Sequence, residues 1–267
     1  MTILQALILG IVQGLTELLP VSSSAHLAVF PWIFQWEEIP ESFDIALHFG
    51  TLLAISLFFI KDWLELIKGG WNQVVKKEKT REGQMFWYLV IATIPAGILS
   101  LILDKLSGKI FPEGSPIYLI AIAVALIVMG IVLYFVDKKA KSETDYENIS
   151  LGQAVLIGIS QAIAAAFPGV SRSGITMTVA RTLKVDRESA AKYSFLLSTP
   201  IIFAAVLVSL SSFEFSLAFV IGVLTSFVVG LFVIRFLLNY LKKGSFKVFA
   251  IYRMIFGIII LVLTFIR

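Results

Sequence analysis

Long apolar runs separated by short polar segments dominate the chain. Six runs, residues 45–67, 86–103, 117–136, 190–211, 217–238 and 248–266, approach the roughly 20 residues that carry a helix across a bilayer. They predict six membrane-spanning helices. Residues 117–136 hold no charge at all. Asp62 and Glu65 sit toward one end of the first run and Arg253 toward one end of the last, where long side chains can reach the interface.

Two further apolar stretches, 2–36 and 151–183, are each broken by proline and serines: Pro20 before Ser22, Ser23 and Ser24, and Pro168 and Gly169 before Ser171, Arg172 and Ser173. Each arm is too short to cross, the pattern of a re-entrant helical hairpin. The two stretches also match each other. Gln5, Ala6, Gly10, Ile11, Gln13, Pro20 and Ser23 align without a gap with Gln153, Ala154, Gly158, Ile159, Gln161, Pro168 and Ser171, and three runs follow each stretch. The pattern predicts an all-α polytopic membrane protein with six transmembrane helices plus two re-entrant helical hairpins. It forms one membrane domain over 1–267, with internal repeats at about 1–143 and 149–267. Because three is odd, the second repeat enters from the opposite side. Such inverted-topology repeats place a site near the midplane, at the repeat interface.

Charge orients this scheme. Lysines and arginines concentrate in 68–84, 137–150 and 239–247, which the positive-inside rule makes cytoplasmic. Both termini and the tip of the first hairpin then start from the outside, although 104–115, an outer loop on this count, also holds Lys105 and Lys109. The net charge of +4 is explained by these loops and predicts no nucleic-acid partner. A hydrophobic content of 58% and a mean hydropathy of +0.92 exceed what a soluble domain carries. The N-terminus lacks the charged region and cleavage site of a removable signal peptide. The absence of cysteine excludes thiolate metal sites and cysteine nucleophiles.

Polar groups inside apolar stretches are costly and mark function. In the first hairpin, Gln13 and Glu17 share a helix face, and Ser22, Ser23, Ser24 and His26 follow the break. A carboxylate, a hydroxyl and an imidazole offer base, nucleophile and acid. His48, four residues after Asp44, reads as a packing or loop-facing residue. In the second hairpin, Arg172 offers forked donors suited to phosphate, beside Ser171, Ser173 and Thr176. Serines after a proline cap the following arm, and a helix N-terminus attracts anions. Two such tips and an arginine, aimed at one point, make a di-anionic or pyrophosphate pocket. In gapless alignment Glu17 falls on Ala165 and Ser24 on Arg172, so the halves divide acid–base groups from the cation. The competing structural reading pairs Arg172 with Glu17 as a bridge between repeats. The competing function is a lipid-phosphate transporter or flippase using the same midplane anion site.

QGLTELLPVSSSAHL from Gln13 and PGVSRSGIT from Pro168 resemble the two signature motifs of the undecaprenyl-pyrophosphate phosphatases, the membrane family linked to bacitracin resistance. AAKYSFLLSTPII from Ala190 is similar to that family too. The resemblance implies hydrolysis of undecaprenyl pyrophosphate, a polyprenyl pyrophosphate lipid, to undecaprenyl phosphate, recycling the carrier lipid for peptidoglycan synthesis. It implies a multi-pass protein of the bacterial cytoplasmic membrane with its site open to the outer side. It points to Glu17, Ser23, His26 and Arg172 as the active residues, supported by Gln13, Ser171 and Thr176. The family motif allows glutamate or glutamine at Gln13, and glutamine here argues against a two-carboxylate mechanism. A divalent cation, Mg²⁺ or Ca²⁺, would be held mainly through the substrate pyrophosphate, with Glu17 as its one protein carboxylate. The oligomeric state is left open, a homodimer included.

Overall fold

The computed structural model describes residues 1–37, 39–213 and 215–266. Among them the secondary structure is helical, apart from one isolated bridge between Thr144 and Val185. The first stretch forms α1 (Ile3–Thr16) and α2 (Ser23–Phe34), and its counterpart forms α7 (Leu151–Ala166) and α8 (Arg172–Thr182). Matching caps start the first arm of each. Thr2 and Gln5 close a capping box on α1, and Ser150 and Gln153 close one on α7, each satisfying two otherwise orphaned amides.

Among the described residues, six helices are long and apolar enough to cross a membrane: α3 (Glu41–Phe58), α5 (Arg81–Ile110), α6 (Pro116–Lys139), α9 (Arg187–Ser209, continuing as a 3₁₀ turn), α10 (Leu217–Leu241) and α11 (Lys247–Ile266). Their number agrees with the apolar runs, but two boundaries differ. The expected run 45–67 stops at Phe58. Phe59 leaves helical geometry (φ −98°, ψ 22°), and a separate helix α4 (Ile60–Val75) begins. Beyond the break, Asp62 of α4 forms an ion pair at 2.5 Å with Lys192 of α9. At its far end α5 runs to Ile110, so Lys105 and Lys109 ride on a helical extension and not in a loop. The basic segment 68–84 is also mostly helical, in α4 and the start of α5.

The halves pack by exchange. α1 lies against α10, and α7 lies against α5. In both contacts a glycine permits close approach: a β-carbon on Gly10 would meet Gly222 O at 2.8 Å, and one on Gly158 would meet Ala92 O at 2.7 Å. α6 crosses α11 with Gly130 against Ala250 O and Gly257 against Ala123 O, the same pair of positions with the helices exchanged.

A buried ionic knot closes one end. Asp137, at the end of α6, accepts from Arg181 Nε at 2.9 Å, Arg187 Nε at 2.8 Å and the Phe246 amide at 3.0 Å. Arg181, fully buried, also donates to the carbonyls of Ala140 and Val185. The knot holds α6, the α8–α9 turn and the start of α11 together.

Candidate active site

The two breaks meet. Residues 17–22 separate α1 from α2, and residues 167–171 separate α7 from α8. Ser22 (φ 76°) and Ser171 (φ 71°) precede the second arms, a backbone region that side-chain-bearing residues rarely adopt. Each turns its hydroxyl back to cap its own helix: Ser22 Oγ accepts from the Ala25 amide and Ser171 Oγ from the Gly174 amide. Ser22 and Ser171 are therefore equivalent, and Ser23 and Arg172 are each the first residue of a helix. The gapless alignment, which sets Arg172 against Ser24, is one residue off beyond the prolines because two residues separate Pro168 from Ser171 and only one separates Pro20 from Ser22.

Glu17, at the C-terminal cap of α1, is the hub. Its Oε1 accepts from Arg172 Nη2 at 2.6 Å. Its Oε2 accepts from Ser23 Oγ at 2.5 Å and from Gln13 Nε2 at 3.4 Å, and it faces His48 Nε2 at 3.3 Å. The opposite ring nitrogen, His48 Nδ1, lies 2.8 Å from the Asp44 carbonyl. A carbonyl only accepts, so Nδ1 must donate, and Nε2 meets the carboxylate favourably only with a proton between them. Ser173 Oγ bridges the tips, 3.1 Å from both Glu17 O and Leu19 O. These groups open onto a cavity of about 220 Å³ whose lining includes Glu17, Ser23, Ser24, His48, Ser171 and Arg172.

Three of the four expected active residues, Glu17, Ser23 and Arg172, thus come together, with Ser24, Ser171 and Ser173 in the same wall. Gln13 is buried behind Glu17 with its Oε1 unpartnered. Ser22 serves as a cap. Thr176 faces α9 and shares a 2.6 Å hydrogen bond with Ser194 Oγ, away from the cavity lining. His26 stands apart. Its Nδ1 lies 2.7 Å from Ser22 O, its Nε2 lies 2.7 Å from Tyr252 OH of α11, and Phe256 stacks on its ring.

His48 and Gln161 are among the cavity residues that escaped the reading of the sequence. His48, read as packing, touches the central carboxylate. The rule that an ionisable residue within a span is functional until shown otherwise would have found it. Gln161 lines the cavity with its Oε1 buried and unpartnered, and its match to Gln13 in the repeats was the available signal.

Glu17 is the single carboxylate lining the cavity, and no cluster of three or more His, Cys, Asp or Glu side chains suited to a metal occurs among the described residues. The donor set does not make a metal site from protein alone.

The family model described as "Bacitracin resistance protein BacA" matches residues 6–259. The chain is 46% identical over 273 residues to a protein of Caldicellulosiruptor bescii named undecaprenyl-diphosphatase, covering 100% of this chain and 99% of the relative. Proteins of the same name from Pelotomaculum thermopropionicum (46%, covering 99% and 97%) and Moorella thermoacetica (43%, covering 100% of both) are similarly related.

Proposed function

This chain belongs to the bacitracin resistance protein BacA family, and on that premise we infer that it is a membrane hydrolase converting undecaprenyl diphosphate to undecaprenyl phosphate and inorganic phosphate. The product is the carrier lipid of peptidoglycan synthesis, and its regeneration accounts for the bacitracin resistance in the family's name.

The observation that carries the mechanism is the 2.5 Å contact between Ser23 Oγ and Glu17 Oε2. Ser23 Oγ attacks the terminal phosphorus and passes its proton to Glu17. The bond from that phosphorus to the bridging oxygen breaks, undecaprenyl phosphate leaves, and water then hydrolyses the phosphoserine. Arg172 spends one nitrogen on Glu17, leaving the rest of its fork for phosphate oxygens. The free first-turn amides of α2 and α8 face the same charge. Direct attack by water, with Ser23 only binding phosphate, is the alternative that the experiment below separates. A divalent cation arriving with the pyrophosphate would be held mainly by the substrate, with Glu17 as its one protein carboxylate. When bound, it neutralises charge on the pyrophosphate.

The same reading takes the two broken stretches as re-entrant hairpins in inverted repeats. Its support is the matched capping boxes, the exchanged α1–α10 and α5–α7 contacts and the reciprocal α6–α11 crossing. Lys138 and Lys139 close α6, which makes that end cytoplasmic. Ser100 of α5 and Ile201 of α9 line the cavity from the opposite halves of their helices. We therefore assign the site to the outer side of the cytoplasmic membrane.

The test is phosphate release from undecaprenyl diphosphate by purified protein in detergent, with acid quenching to trap a phosphoenzyme. Parent activity with a phosphoserine that Ser23→Ala abolishes is expected. Full activity in Ser23→Ala would exclude serine as the nucleophile, and a parent inactive with every divalent cation tried would exclude the phosphatase.

A further inference from the structure

Arg253, in the second turn of α11, is fully buried. Its polar partners among the described residues are all main-chain carbonyls, and they belong to both breaks. Nη1 donates to Pro20 O at 3.2 Å, and Nη2 donates to Gly169 O at 3.1 Å and Val170 O at 2.7 Å. Nε has no partner. A buried cation without a carboxylate is an expensive way to fasten helices. The helix crossing does not need it, because the reciprocal packing of Gly130 and Gly257 puts Leu126 of α6 at the related position, also fully buried. Room is kept for the guanidinium: a side chain on Gly174, in the first turn of α8, would collide with Arg253 Nη1.

We infer that Arg253 is a positioning residue that clasps the two breaks to each other and so fixes the placement of Ser23 relative to Arg172. Pro20 lies three residues before Ser23 and Val170 two before Arg172, so each carbonyl it holds sits one short turn from a reacting group. The fork is what the task needs, since one planar group reaches two chain segments at once. An ammonium on a single stem holds the charge without that geometry. This inference rests on the reading of Ser23 and Arg172 as nucleophile and phosphate anchor.

The experiment compares the parent with Arg253→Met and Arg253→Lys. The readouts are kcat per folded molecule, KM for undecaprenyl diphosphate, and amide hydrogen exchange in peptides covering 17–24 and 167–174. A displacement near 1 Å costs about a hundredfold in rate, so Arg253→Met is expected to lose about that much kcat with KM changed less than about threefold. Exchange should quicken at both breaks, and Arg253→Lys should recover part of the loss. Parent-like kcat per folded molecule in Arg253→Met would overturn the inference, as would unchanged exchange at both breaks. Where Arg253→Met does not fold, parent-like kcat and exchange in Arg253→Lys would do the same. A parent that releases no phosphate would refute the phosphatase reading, and the exchange data would still decide whether Arg253 clasps the breaks.

Discussion

Ser23 and Arg172 hold the same place in two related helices: each is the first residue after a serine of positive φ that caps its own arm. Glu17 binds both, one carboxylate oxygen to each. At this matched place one helix carries a hydroxyl and the other a cation, and both helix starts attract anions.

Glu17→Gln keeps a hydrogen-bonding group beside Ser23 and removes the base of the proposed mechanism. Loss of a general base costs about 10²–10⁴-fold in rate, so kcat should fall within that range in a protein that still folds. Steady-state phosphate release checks it. A loss under about fivefold would transfer the proton-accepting role elsewhere.

His48→Leu removes the group opposite Glu17 Oε2 and puts an apolar side chain in its place. Glu17 then loses one of its partners, and kcat/KM should drop by about 10–100-fold. The same assay on the purified variant measures it. Parent-like kcat/KM would return His48 to the packing role its sequence context suggests.

His26 touches the carbonyl of Ser22, which caps the helix that Ser23 begins, while its other nitrogen meets Tyr252. His26→Phe and Tyr252→Phe should therefore lower kcat/KM non-additively, with a coupling of about 0.5–3 kcal/mol in a double-mutant cycle. Additive losses would show His26 acting independently of α11.

The helices and their number were legible in the apolar runs, because lipid forces long, uninterrupted segments. The end of α3 was not, because an apolar run continues through Phe59 into α4 and the stop shows only in the backbone geometry of Phe59. Glu17, Ser23 and Arg172 were legible as polar groups at breaks. His48 was not, because its meaning lies in a contact with a residue on another helix. Arg253 was read as a charge near a helix end, yet it is buried against carbonyls of both breaks. Segment-by-segment reading finds what a residue costs, but not the partners that offset the cost.

Gly169 adopts φ 87°, and a β-carbon there would lie 2.7 Å from Ile122 O and 2.8 Å from Ile122 Cα of α6. Gly169→Ala meets both a disfavoured backbone and a rigid wall, so it should destabilise the protein by about 1–3 kcal/mol. The obstacle is backbone and cannot swing aside as a side chain would, so the second tip must shift. Thermal unfolding in detergent should show a lowered midpoint, and phosphate release per folded molecule should fall with it.

Asp137→Asn tests whether the ionic knot is structural. The carboxylate neutralises Arg181, which has no exposure, and shares its Oδ1 with Arg187. An amide keeps one accepting oxygen but carries no charge, and its NH₂ group would face either the two arginines or the Phe246 amide, all donors. Removing one partner of a buried pair costs about 3–5 kcal/mol, because the remaining charge is left uncompensated. The variant should therefore unfold at a markedly lower temperature or denaturant concentration. Asp137 lies outside the cavity lining, so kcat per folded molecule should stay within about twofold of the parent. A variant of parent stability would mean that the carbonyls of Ala140 and Val185 suffice to hold Arg181. A stable variant with lost turnover would instead tie this end of the helices to the reaction at the tips.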